Sequence, residues 1–329
     1  MWNLAIVGAL LVTRADFQAQ QIKTIPSLHA LAFAAAPSGS RVAATFEDNS
    51  VRIFDASVGS TVKVLGTRTQ PAWAVAWSRD GREIASGDET GRIAIWTVAN
   101  GAKVNEYRPS TRGIETLSFN HDGTLLLSTG KDDTLCVYNI PTGKLMTIKG
   151  KGANFYGGHF FPASNGFAAA TLQEGARIYN AGGQLIKTIH GHAGLGAIAA
   201  AVNPLGNLLA TGGRDSKATL WFLPSGQEVG SFVGHQDWVN AVAFSPNGRL
   251  IATSCGVDRT VKIWDVATRR PVQSIENESS QGSPIGWTAD GKYLLTRSFD
   301  DSLVVSQVSP PQAGELRTVH ARRARRRRR

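Results

Sequence analysis

His190-Gly191-His192 sets two imidazoles one residue apart, a pairing that can seed a metal centre. A structural zinc site takes four ligands, however, and no further ligand cluster or cysteine pair stands near this one in the chain. No metal and no cofactor is therefore expected. Asp132-Asp133 and Asp300-Asp301 are adjacent carboxylates of the type used in general acid–base work, and paired acids facing one another across a cavity would make a hydrolytic site. The sequence has no serine nucleophile elbow, no His-Glu-x-x-His and no phosphate-cradling glycine loop. Cys136 and Cys255 are the two cysteines. They fall in segments too far apart in the organisation described next to meet the roughly 7 Å limit on Cα separation in a disulfide, so both are read as buried free thiols.

The elements that would position any such group repeat. Phe54, Trp96, Tyr138, Tyr179, Trp221, Trp264 and Ser306 close similar stretches at intervals of 41 to 43 residues. A constant period of that size means one supersecondary unit used over and over. Within the sixth unit, Val239–Phe244, Leu250–Thr253, Val261–Trp264 and Pro271–Ile275 are short apolar or alternating runs separated by turn residues, which reads as four strands joined by hairpins. A turn glycine keeps register at Gly39, Gly81, Gly123, Gly166, Gly206, Gly248 and Gly291, as expected where a hairpin needs positive φ. No apolar stripe of helical period competes. The expected fold class is all-β.

These units resemble WD repeats, the four-stranded blades of β-propellers that carry Gly-His and Trp-Asp signatures. Trp264-Asp265 is the full dipeptide, and Phe54-Asp55 keeps the acid. Trp96, Tyr138, Tyr179 and Trp221 keep an aromatic, and Ser306-Gln307 has lost both. Gly-His stands at Gly191-His192 and Gly234-His235. The resemblance covers about residues 27–319 and implies a seven-bladed β-propeller of four-stranded antiparallel blades. The expected limits are a single propeller over 16–320, with repeats at about 27–69, 70–111, 112–152, 153–193, 194–236, 237–280 and 281–320. A ring needs its last blade joined to its first. Gln20–Ile25 and Glu315–His320 are the two segments that could supply the missing outer strand, and closure between the chain ends favours the first.

The resemblance further implies a buried hydrogen-bond chain of His, Ser/Thr, Asp and Trp within a blade. Two are complete: His192, Thr211, Asp215 and Trp221, and His235, Thr253, Asp258 and Trp264, the latter if its turn holds one extra residue. The aspartate offset also finds Asp48, Asp132 and Asp300, but Thr90 and Gln173 in the second and fourth units. The role of these residues is structural, since buried polar groups require partners.

By the same resemblance, residues at the start of each inner strand form a ring around the channel mouth. Aligning on Phe33, Trp77, Phe119, Phe160, Val202, Phe244 and Trp287 gives His29, Trp73, Glu115, Tyr156, Ile198, Asn240 and Ser283, with Trp238 two residues earlier. Glu47, Lys131, Arg214, Val257 and Phe299 precede the structural acids. Trp, Tyr and Arg dominate binding hot spots. Trp73, Tyr156, Arg214 and Trp238 are therefore the expected anchors of a protein or peptide partner, with His29 and Asn240 beside them. Trp73 and Tyr156 could instead pack between blades as core aromatics.

The ends differ from the repeats. Leu4–Val12 is apolar but too short to span a bilayer, which takes about 20 helical residues. With Thr13-Arg14-Ala15 after it, residues 1–15 read as a signal peptide, which places the chain outside the cytoplasm, secreted or periplasmic, with a cytoplasmic location as the alternative. Arg322, Arg323, Arg325, Arg326, Arg327, Arg328 and Arg329 supply seven of the ten net positive charges. Residues 321–329 are expected to be a disordered tail able to bind nucleic acid, anionic lipid or an acidic protein. The function expected is that of a monomeric, non-enzymatic interaction scaffold without a transmembrane span. A propeller hydrolase or oxidoreductase with a channel-mouth site and a polyanion-binding protein are the alternatives.

Overall fold

A computed structural model describes residues 18–25, 29–276, 284–298 and 300–309, with only the backbone described for 18–25 and Ser309. Seven four-stranded antiparallel sheets follow one another along the chain. Blade 1 runs through Ala30–Ala35, Arg41–Phe46, Ser50–Asp55 and Ser60–Thr67 from channel to periphery. Blades 2 to 6 repeat that order, and blade 6 ends on Leu250–Cys255, Thr260–Asp265 and Pro271–Glu276. The seven period markers hold the same place. Each lies in a third strand opposite an apolar residue of the second, as Trp96 opposes Ile84 and Trp264 opposes Ile251.

Among the described residues the core is divided into seven apolar clusters, one at each blade interface. Ala199, Ala210 and Leu220 of blade 5 meet Val242, Ile251 and Trp264 of blade 6. Phe33, Phe46 and Phe54 of blade 1 meet Leu295, Leu303 and Val305 of blade 7, so the ring is continuous. Alanine-rich inner strands such as Ala197–Val202 suit this design, because small side chains let strands converge on an axis. Closure uses the N-terminal alternative. Gln18–Ile25 pairs antiparallel with Leu303–Ser309, from Gln18 opposite Ser309 to Ile25 opposite Leu303. Residues 1–15, Glu315–His320 and the arginines of 321–329 lie outside the described residues. Among the described residues no helix is long and apolar enough to cross a membrane.

Two local expectations change. In blade 4 the left-handed turn position belongs to Ser164, at φ 55°, whose N–H donates to Phe161 O at 2.8 Å. Gly166 instead opens the second strand opposite Asn180, where a Cβ would come within 2.3 Å of Tyr179 O. In blade 1 the residue equivalent to Trp77 is Ala35, since Ala35 opposes Val42 and Val42 opposes Phe54. Phe33 imitates the anchor by hydrophobicity but lies two residues early. The residue matching Trp73 is therefore Leu31, which is buried, and His29 takes the place that Trp238 holds in blade 6.

Candidate functional site

Antiparallel strands put two loops of every blade on one face: the segment entering the inner strand and the turn between the second and third strands. Polar chains bolt these loops together. In blade 6, Trp264 Nε1 donates to Thr253 Oγ1 at 2.8 Å, His235 Nε2 lies 2.8 Å from the same hydroxyl, and His235 Nδ1 lies 2.8 Å from Asp258 Oδ2. Blade 5 repeats this with Trp221, Thr211, His192 and Asp215 at 2.7 to 2.8 Å. The hydroxyl accepts from the indole and gives its own proton to Nε2, which leaves Nδ1 protonated and donating to the acid. Burial pushes the His235 pKa down and Asp258 opposes it. Burial works to raise Asp258, but hydrogen bonds from His235 and Thr260 outweigh it and hold the carboxyl below its ordinary range.

Cys255 replaces the equivalent of Gly213 and brings its thiol within 4.8 Å of ligand atoms of His235 and Asp258. Both ring nitrogens of His235 are already committed by hydrogen bonds to Thr253 and Asp258. Both cysteines are buried free thiols, and burial raises the Cys255 pKa.

Blade 2 carries a chain in which arginine stands in for histidine. Arg68 Nη1 donates to Ser86 Oγ at 2.9 Å, Arg68 Nη2 to Asp88 Oδ2 at 2.7 Å, and Trp96 Nε1 to Ser86 Oγ at 2.9 Å. Arg68 and Asp88 are only 5% and 1% exposed. Burial acts to raise Asp88, yet hydrogen bonds from Arg68, Thr90 and Arg92 keep its pKa low. In blade 3, Asp132 accepts from Thr111 N–H at 2.8 Å and Thr134 Oγ at 2.5 Å, which outweighs burial and sets its pKa at about 2. Asp133 accepts from Gly152 and Asn154 N–H at 2.6 and 2.7 Å, fastening the entry to blade 4. Asp300 accepts from Ser298 and Ser302. Both carboxylate pairs thus include loop-fastening acids. In blade 7 Ser306 stands where the aromatic would be, and among the described residues its hydroxyl and that of Thr296 are buried without a hydrogen-bond partner.

On this braced rim the exposed side chains gather. Trp73 is 40% and Trp238 41% exposed, so neither is a core aromatic. Tyr156 is half-buried against the cluster between blades 4 and 5. The Arg214 guanidinium stacks over the Trp238 ring, 4.0 Å from its centroid, and joins the rim of blade 5 to that of blade 6. Burial raises the Tyr156 pKa, with the charge of Glu115 adding and that of Arg214 opposing, which puts these three in one electrostatic neighbourhood. Glu115 pairs with Lys131 at 3.6 Å. His29 Nδ1 meets Glu47 at 2.8 Å, and Asn240 Oδ1 accepts from Gly256 N–H at 3.1 Å, bracing the blade 6 turn. Val257 is 67% exposed on that turn. Ser283 and Phe299 lie outside the described residues.

Four segments, 59–97, 101–139, 183–221 and 226–265, match the model of the WD domain, G-beta repeat. The chain belongs to the WD-repeat β-propeller family. Among curated proteins it is similar to the small ribosomal subunit protein RACK1 of Caenorhabditis elegans, 33% identical over 144 residues, 40% of this chain and 43% of that protein. The protein of the same name from Drosophila melanogaster is 35% identical over 130 residues, 36% of this chain and 39% of that protein. The match spans less than half the length of either relative. Relatives named as ribosomal proteins contradict the secreted or periplasmic location read from residues 1–15 and fit the cytoplasmic alternative.

Proposed function

We propose that this WD-repeat propeller is a non-enzymatic scaffold that binds a protein or peptide on the rim where its inner strands begin. Trp73, Tyr156, Arg214 and Trp238 are the anchors, with His29 and Asn240 at the edge of the surface. The observation that carries this reading is the Arg214–Trp238 stack, an exposed indole held flat under a cation on a rim otherwise fixed by buried hydrogen bonds. Aromatic and arginine side chains of this kind, already ordered before contact, lose little freedom on binding. The similarity to proteins named as parts of a ribosomal subunit supports assembly into a larger complex.

The test is to isolate the chain from its native source with its associated proteins, and to repeat the isolation with Trp238→Ala/Arg214→Ala. The expected result is loss of the main partner with an unchanged melting temperature. Undiminished capture by the double variant would overturn the site. The arginines at 322–329 favour a second, separable contact with a polyanion. Truncation after Ala321 is then expected to abolish salt-sensitive binding to nucleic acid or anionic vesicles and to leave rim binding intact.

A further inference from the structure

The chemistry of the rim partner can be read from what the rim leaves unspent, and this inference rests on the rim reading above. Arg214 lies in the turn between the second and third strands of blade 5, and its own N–H donates to Gly196 O at 3.3 Å, which ties it to the loop bearing Leu195. Its guanidinium covers Trp238, and its Nε is buried with no hydrogen-bond partner. Among the described residues no carboxylate forms an ion pair with it. Four acids of the same face are committed elsewhere: Glu115 to Lys131, Asp215 to His192, Asp258 to His235 and Glu47 to His29. Asp237 uses one oxygen on the N–H of Trp238. A stacked guanidinium is a fixed fork of donors suited to a carboxylate. Around it the two loops of blade 5 and the two of blade 6 present Leu195, Trp238 and Val257, which are 51%, 41% and 67% exposed.

We infer that blades 5 and 6 together hold a partner segment that presents an aspartate or glutamate side chain to Arg214 and an apolar side chain beside it to Leu195, Trp238 and Val257. A stacked cation beside apolar groups selects that pairing. A uniformly acidic segment would leave the three apolar side chains uncovered, and a basic one would meet Arg214 head-on.

A phage-displayed library of random linear peptides, panned on the full chain, tests this. The enriched peptides are expected to share one Asp or Glu next to an apolar residue. A synthetic peptide of that consensus should bind Arg214→Gln about tenfold or more weakly, with the melting temperature unchanged. Arg214→Glu should regain binding when the acidic residue of the peptide is replaced by lysine, which a merely structural role for Arg214 would not allow. Enriched peptides that need Trp238 but carry no acidic residue would overturn the carboxylate assignment and leave the rim reading standing. Peptides indifferent to both Trp238→Ala and Arg214→Gln, or a library yielding no binder, would overturn both.

Discussion

Blades 2 and 6 solve one problem with different chemistry. In each, a buried indole N–H gives to a hydroxyl, which is joined through a polar side chain to a buried carboxylate: Trp96, Ser86, Arg68 and Asp88 in one, Trp264, Thr253, His235 and Asp258 in the other. What is preserved is a hydrogen-bonded connection from the third strand to the loop, although in blade 2 the arginine donates both to the hydroxyl and to the acid. The linking residue differs, and with it the response to substitution and to pH. Arginine keeps its charge throughout the working range, so blade 2 buries an ion pair. Histidine enters blade 6 as a neutral relay.

The largest effect expected from that difference is in blade 2. Arg68→Met leaves the Asp88 carboxylate buried without its cation and should destabilise by about 3–5 kcal/mol in urea denaturation. Adding Asp88→Asn to that variant should recover a large part of the loss, because the unpaired charge and not the missing contact dominates. A double variant no more stable than the single one would show the blade to be held by packing alone.

The next effect separates the blades by pH. Folded His235 resists protonation, whereas its unfolded counterpart accepts a proton near pH 6.5. Its contribution is therefore complete above that value, and stability falls as pH drops below about 6.5 because the unfolded state takes up protons first. Asp258, with its pKa lowered, adds a further loss only below about pH 4. His159, in the inner strand of blade 4, has its pKa lowered by burial to about 4 and contributes in the same sense between about pH 6.5 and 4. Melting temperatures taken from pH 7.5 to 4.5 should fall, with a slope reduced in His159→Asn. A flat profile would mean that these rings take up protons as readily in the fold as in the unfolded chain. The Arg68 chain should contribute nothing to the slope.

The smallest effect compares the indoles. Trp264→Phe and Trp96→Phe each remove one donor to a buried hydroxyl and should cost about 1 kcal/mol. Similar losses in the two blades would show that the hydroxyl is indifferent to what lies beyond it; a loss confined to blade 6 would show that the histidine relay transmits more than the arginine fork.

The fold was legible because hairpin periodicity is local, and each unit carries its own turns and alternation. The exceptions have local causes too. Phe33 is the most conspicuous apolar residue of its strand, but Ala35 holds the anchor register, and only cross-strand pairing distinguishes them. Ser164 adopts the left-handed turn without being glycine. The blade 2 chain escaped because its acid is Asp88, two residues before the position at which Thr90 was read, and because its linker is not histidine. A buried-type acid followed by a turn, with an arginine about twenty residues earlier, was the available signal. Arg214 and Trp238 were both conspicuous as residue types. Their stacking was not, because it joins neighbouring blades, and nothing in a linear period fixes how far one sheet is rotated against the next.

Gln18–Ile25 lies against Leu303–Ser309, and this has a temporal consequence. A ribosome delivers the former nearly three hundred residues before its mate, so the earliest strand of the circle must wait for its station until the blades between them have been made. Until then the growing arc exposes a bare peptide edge and the greasy face that blade 1 turns to blade 7. Shielding by chaperones is needed most in that interval, and a chain released before Leu303–Ser309 would leave the circle open for good.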